Sequence, residues 1–243
     1  MKKKYRAEEE RSEEEERNKE EERNKEEGVN LGSKQTPYRS SHTKREVKKP
    51  ILIIGEGETE QTYFKEIGSS FKIKVDPDLP SKPDYENIFK RAEAKFDPDI
   101  HLHVFCLIDL DYIHRNKKIG EYYTAKDKIL NKLKKKNLTV IESCPCIEYW
   151  FLLHFEYTYS PAYDCSEIEN KLKRHIPDYK KNMQGIYKQL YGLEQKASMH
   201  SKKAKKHRGD SILKGICTLQ SNVTHTDVDI LISYIKDHAQ KRQ

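Results

Sequence analysis

Ile51-Leu52-Ile53-Ile54-Gly55-Glu56-Gly57-Glu58-Thr59-Glu60 is the stretch whose reading decides the fold. An apolar run of this length reads as a strand buried on both faces, as in a parallel sheet. A second run, Val104-Phe105-Cys106-Leu107-Ile108, ends in Asp109-Leu110-Asp111. Ligands of open α/β sheets collect outside the carboxyl ends of such strands. Both acidic clusters therefore fall where a sheet presents carboxylates to a divalent cation.

Outward from these runs the pattern is α/β from about residue 49. A short helix is predicted over Thr59–Ile67, with Tyr63, Phe64 and Ile67 on one face. Phe71–Val75 alternates like a strand, and the prolines of residues 76–83 read as a loop. Tyr85–Phe96 is helical, His101–Ile108 a strand, residues 121–136 an amphipathic helix ending in lysines, and Leu138–Ile141 a fourth strand. Strands separated by helices of this length imply βαβ units. Ile147–Phe155 is too long and too aromatic for a solvated face and reads as a buried helix beginning just after Pro145. From about residue 156 the chain is mostly helical, over 166–175, 182–192, 194–206, 210–219 and 226–240.

Charged residues make up 36% and hydrophobic residues 35% of the 243-residue chain, a balance that leaves part of it outside any core. Residues 1–27 account for much of that, with twelve glutamates against nine lysines and arginines and a near-repeat, Glu16-Arg-Asn-Lys-Glu-Glu then Glu22-Arg-Asn-Lys-Glu-Glu. With no apolar face to bury, residues 1–48 read as a charged tail and linker, disordered or a solvated helix, ahead of one domain over 49–243. The remainder carries 38 Lys/Arg against 28 Asp/Glu, which favours contact with a polyanion. The stretch His200–Arg208 is its most basic part. No apolar run reaches the roughly 20 residues of a membrane span, and the charged N-terminus has no secretory core. The expectation is a cytoplasmic protein with reduced thiols. Cys144-Pro-Cys146 is not a CxxC pair and has no second pair beside it, so zinc is not expected. Cys106, Trp150 and His154 read as structural residues of the core.

The carboxylates carry the chemistry. Glu56 follows a strand directly, between glycines that permit a sharp turn. Glu60 is one helical turn on. Asp109 and Asp111 are two apart at a strand end, a spacing that can aim both toward one mouth. Oxygen ligands without His or Cys suit a hard cation, Mg²⁺ or Mn²⁺, which polarises phosphoryl oxygens and activates water. The bland reading of Asp-x-Asp is turn and helix-cap chemistry.

Strand-Glu56-Gly57 followed by strand-Asp109-Leu110-Asp111 resembles the Toprim pattern of topoisomerases, primases and OLD-family nucleases. The likeness sharpens to the RloB family of prokaryotic defence proteins. It is carried by Glu56-Gly57-Glu58-Thr59-Glu60 with Tyr63-Phe64, by Asp109-Leu110-Asp111, and above all by Ser143-Cys-Pro145-Cys-Ile-Glu148-Tyr-Trp150-Phe-Leu-Leu-His154-Phe. Cys144 and Ile147 depart from the family's usual Ser-Asn-Pro-Cys-Phe-Glu. Tyr179-Lys180-Lys181 looks like its Tyr-x-Lys, and Asn222-Val-Thr-His225 like a late Asn-Pro-Ser-Thr segment without the proline.

The resemblance implies a Toprim-like sheet with a helical C-terminal elaboration. It implies a Mg²⁺- or Mn²⁺-dependent nuclease acting on DNA or on RNA such as tRNA. The metal ligands would be Glu56, Asp109 and Asp111, with Glu60 and Glu148 toward a second metal. Lys181 would meet phosphate charge. It further implies a toxic, abortive-infection role in anti-phage defence beside an ABC/SMC-like partner ATPase, and it admits a homo-oligomer. The chain has no Walker A motif, so ATP-driven control comes from elsewhere. Two rivals stand. One is an aspartate-nucleophile phosphatase using Asp109. The other is a non-catalytic module that binds nucleic acid or an ATPase and keeps a structural cation.

Overall fold

In the computed structural model, the described residues are 49–133, 137–159, 164–213 and 223–241. The charged tail and linker of residues 1–48, the end of the expected helix 210–219, and Cys217 and Asn222 lie outside them.

The first strand, β1 (Ile51–Ile54), is buried at all four residues and is followed by α1 (Glu58–Ser70), β2 (Val75–Asp78) and α2 (Tyr85–Lys95). Then come β3 (His103–Asp109), α3 (Leu110–Arg115), α4 (Ile119–Lys132) and β4 (Leu138–Cys144). The helical part holds α5 (Glu148–Leu153), α6 (Cys165–Leu172), α7 (Ile186–Leu190) and α8 (Glu194–Leu213); a two-residue β5 (His225–Thr226) and α9 (Val228–Gln240) close the chain. The sheet order is β2-β1-β3-β4-β5. The first four strands are parallel, and β5 runs antiparallel to the end of β4.

The two-residue period of the strands sorts the core into two layers. Ile51, Ile53, Phe105, Leu107 and Ile141 face α1 and the C-terminal helices, packing with Tyr63, Phe64, Trp150, Leu172 and Leu231. Leu52, Ile54, Val104, Cys106, Ile108 and Val140 face α2 and α4, packing with Ile88, Phe89, Tyr122 and Ile129. A sheet covered by helices on both faces is the α/β architecture the apolar runs predict. Trp150 and His154 sit in this core, the indole N–H donating to the Tyr63 hydroxyl at 2.7 Å and His154 Nδ1 lying 2.9 Å from the Trp150 carbonyl.

Three sequence expectations shift. The strand predicted at Phe71–Val75 begins only at Val75 and runs through Asp78, inside the expected proline loop. Lys72 takes a left-handed turn (φ 54°) after α1, so the chain is still reversing where the alternation reads as extended. Pro77 is tolerated because β2 is an edge strand, pairing with β1 alone. The helix predicted over 182–192 shrinks to α7, because Asn182 and Gly185 both have positive φ. The thiols differ as well: Cys146 and Cys165 form a disulfide, while Cys106 and Cys144 are free and buried. Among the described residues no helix is long and apolar enough to cross a membrane.

Candidate active site

The order β2-β1-β3 makes β1 and β3 neighbours from which the chain departs in opposite directions. The crevice beyond their carboxyl ends is the topological switch point of an open sheet, where such folds bind ligands. Glu56 lies just past β1 and Asp109 ends β3, and the Asp109 amide donates to Glu56 Oε1 at 3.0 Å. One strand end thus holds the other's carboxylate in place. Asp109 is also the N-cap of α3, yet its side chain makes no capping hydrogen bond, so helix-cap chemistry does not explain it.

Glu60 enters from the first turn of α1 and is buried. Gly55 and Gly57 make room for it. A Cβ on Gly55 would come within 3.1 Å of Glu60 Cβ, and one on Gly57 within 3.2 Å of Glu60 Oε2. Glu148, at the start of α5, is also buried; its Oε1 accepts the Tyr179 hydroxyl at 2.9 Å.

These carboxylates act on one another. Desolvation pushes Glu56 up to about 8, the Asp109 amide pulls it back, and Glu60 and Asp84 raise it further. Glu60 is pushed up to about 7, first by burial, with Glu148 adding repulsion and the Gly57 amide and Lys181 opposing. Asp109 lies well above the usual carboxylate range through desolvation, then through Glu60, Glu56 and Glu148. Burial also raises Glu148, against Lys181 and Tyr179. Four acidic groups in mutual repulsion, all partly desolvated, form a site that gains from a cation.

Lys181 is the ammonium that faces them. Desolvation lowers it, but Glu148, Glu169 and Asp109 outweigh that and hold it above the ordinary lysine value. It pairs with Glu169 at 3.2 Å. A cleft of about 350 Å³ opens at this point, lined by Glu56, Asp109, Asp111, Arg115, Cys165 and Lys181, among others. Asp111 lines the wall of the cleft and is ion-paired to Arg115 at 2.9 Å. Its charge is felt at His114 and Cys144. Of the six sequence-named residues, Glu56, Asp109, Asp111 and Lys181 line the cleft, Glu60 and Glu148 are buried and coupled electrostatically to Asp109, and Asp111 is engaged by Arg115.

Linear reading missed what holds Lys181 there. The Thr59 hydroxyl and the Glu58 carboxylate both bond Asn182, and Glu66 Oε1 accepts the Gly185 amide at 2.6 Å. Glu58 had no role in the sequence reading. The partner segments are far apart in sequence, so no local pattern reveals them. The basic stretch His200–Arg208 lies on α8, and part of it is structural: Lys205 is bonded to Asp229 at 2.7 Å, whereas Lys202, Lys203 and Lys206 are exposed.

The family model described as RloB-like protein matches residues 51–235. The chain belongs to the RloB-like family. No curated protein and no solved structure matches it. The RloB-like match runs from the first residue of β1 into α9, so it takes in all five strands and each of the carboxylates that converge on the cleft.

Proposed function

We propose that this chain is a Toprim-type, Mg²⁺- or Mn²⁺-dependent nuclease that hydrolyses phosphodiester bonds in nucleic acid. The observation that carries this reading is the meeting of Glu56, Glu60, Asp109 and Glu148 at the β1/β3 switch point, with Lys181 beside them. Their donor atoms are all oxygen, the set that suits a small hard cation. Glu56, Glu60, Asp109 and Glu148 would hold it, with Asp111 joining on release from Arg115. When bound, such an ion supplies Lewis-acid polarisation of a phosphoryl oxygen.

The chain's own groups do the rest. Lys181 Nζ donates to a non-bridging phosphate oxygen, where negative charge builds in the transition state. Tyr179 keeps Glu148 Oε1 oriented, and the Asp109 amide does the same for Glu56 Oε1. Exposed lysines of α8 and the excess of basic residues beyond the tail attract the polyanion. Family membership supports a place in anti-phage defence beside a partner ATPase.

The test is cleavage of single- and double-stranded DNA, RNA and tRNA by the purified chain with Mg²⁺ or Mn²⁺, alone and with any ATPase encoded beside it. Cleavage that is lost in Asp109→Asn and Glu56→Gln, with folding preserved, supports the reading. Absence of cleavage on every substrate, with and without the ATPase, overturns it.

A further inference from the structure

Cys146 and Cys165 approach from different elements. Cys146 precedes α5 and Cys165 opens α6, 19 residues on, with their Cα atoms 5.8 Å apart and their sulfurs bonded. Glu148 stands against the pair, its Oε2 3.5 Å from Cys165 Sγ. One ligand atom from each of Cys146, Glu148 and Cys165 lies within 4.8 Å of the other two. A carboxylate oxygen and a disulfide sulfur both present lone pairs. Their approach is favourable when a proton or a cation lies between them.

Reduction changes what this corner offers. The same backbone placement then aims two thiols and a carboxylate at one point. Two thiolates and a carboxylate are a borderline-soft set, the kind that takes Zn²⁺ and leaves a fourth position open. Cys146 and Cys165 both line the cleft, which leaves space beside them for a water or other small ligand. The neighbouring Glu56, Glu60 and Asp109, which share Glu148 with this corner, offer oxygen alone, a different ligand class.

We propose that reduced Cys146 and Cys165, together with Glu148, form a binding site for a thiophilic divalent cation, Zn²⁺, set apart from the hard-cation carboxylate group by its two sulfurs and sharing Glu148 with it. A thiol or phosphine reductant supplies the two electrons that open the disulfide. Zn²⁺ binding then releases the two thiol protons to solvent and moves no electrons. The two sulfurs, which the proposed nuclease does not use, carry the site, so a sulfur-specific readout tests it apart from cleavage.

The test is Co²⁺ and Zn²⁺ titration of the full chain after phosphine reduction and desalting. The expected result is a sulfur-to-cobalt charge-transfer band, whatever Co²⁺ the carboxylates take up, which Zn²⁺ displaces. Cys146→Ser and Cys165→Ser lose the band and bind Zn²⁺ at least about tenfold more weakly. Glu148→Gln, which keeps both sulfurs, retains charge transfer but weakens Zn²⁺ by roughly 10–100-fold. Asp109→Asn keeps the charge-transfer band, which comes from the two sulfurs and not from the carboxylate group. Circular dichroism of each variant guards against unfolding, and the Glu148 variant decides the matter if a cysteine variant fails to fold. A reduced chain without the band, unchanged binding in the folded variants, or a disulfide that persists in reductant overturns the proposal.

Discussion

Thr59 and Asn182 exchange two hydrogen bonds across 123 residues of sequence: the Thr59 hydroxyl donates to Asn182 Oδ1 at 3.1 Å and accepts the Asn182 amide at 3.2 Å. Asn182 Nδ2 also donates to Glu58 Oε2 at 2.8 Å. Residue 182 directly follows Lys181, so the start of α1 sets both Glu60 and the ammonium that faces it.

Asn182 has φ 61°, which glycine adopts without strain. Asn182→Gly therefore removes the side-chain bonds and leaves the turn. The expected outcome is a folded chain destabilised by about 1–2 kcal/mol, faster amide exchange over residues 180–185, and cleavage reduced roughly tenfold, on the order of the 1.4 kcal/mol that one misplaced contact represents. Hydrogen-exchange mass spectrometry checks it. Unchanged exchange in that segment would mean the clamp does not hold the loop.

Stability of the metal-free chain depends on pH through Glu56 and Glu60. Both titrate above their ordinary value of 4.5 when folded, at about 8 and about 7. Between those limits the folded state binds more protons than the unfolded state, so unfolding free energy falls as pH rises from 4.5 toward 8. The melting temperature should drop across that window, with a shallower slope in Glu56→Gln and in saturating Mg²⁺. A profile that stays flat or climbs contradicts the repulsive site.

Gly55→Ala and Gly57→Ala press on Glu60, at 3.1 Å and 3.2 Å respectively. Neither glycine lies in the core of a helix or strand, so the fold should survive. Mg²⁺ protection against heat should weaken. In the unaltered chain a hundredfold excess over Kd adds about 2.7 kcal/mol, and a tenfold loss of affinity removes about 1.4 kcal/mol of it. Thermal melts with graded Mg²⁺ measure the difference; equal protection in both variants would show that Glu60 takes no part.

The buried Trp150–Tyr63 hydrogen bond is a stability element and carries no chemistry. Tyr63→Phe should cost about 1–3 kcal/mol because the indole N–H loses its partner in a dry core. For a chain of this size that is roughly 2–4 °C of melting temperature per kcal/mol. A double-mutant cycle with Trp150→Phe should show coupling, because the two polar groups are lost together. Additive single effects would mean the bond is energetically idle.

Much of the frame was legible in the sequence. Ile51–Ile54 and Val104–Ile108 read as strands because burial on both faces leaves unbroken apolar runs. Their adjacency was not legible, since nothing local says that β3 pairs with β1 while β2 goes to the edge. Glu56 and Asp109 were found from their places at strand ends. Glu58, Thr59 and Asn182 were missed because their bonds join distant segments. Lys72 and Asn182 misled the pattern in the same way, each turning left-handed without being glycine. Cys165 carried no linear signal either, as its partner lies across a connection between helices.

The Thr59–Asn182 clamp also bears on when the cleft first exists during synthesis. Glu56 and Glu60 leave the ribosome early, but the segment that brings Lys181 is anchored to residues made 123 positions before it. Until that segment emerges, α1 has no partner for Glu58 and Thr59, and the acidic groups face water with no ammonium to balance them. A nascent chain stalled before α7 is thus a half-built, self-repelling acidic crevice.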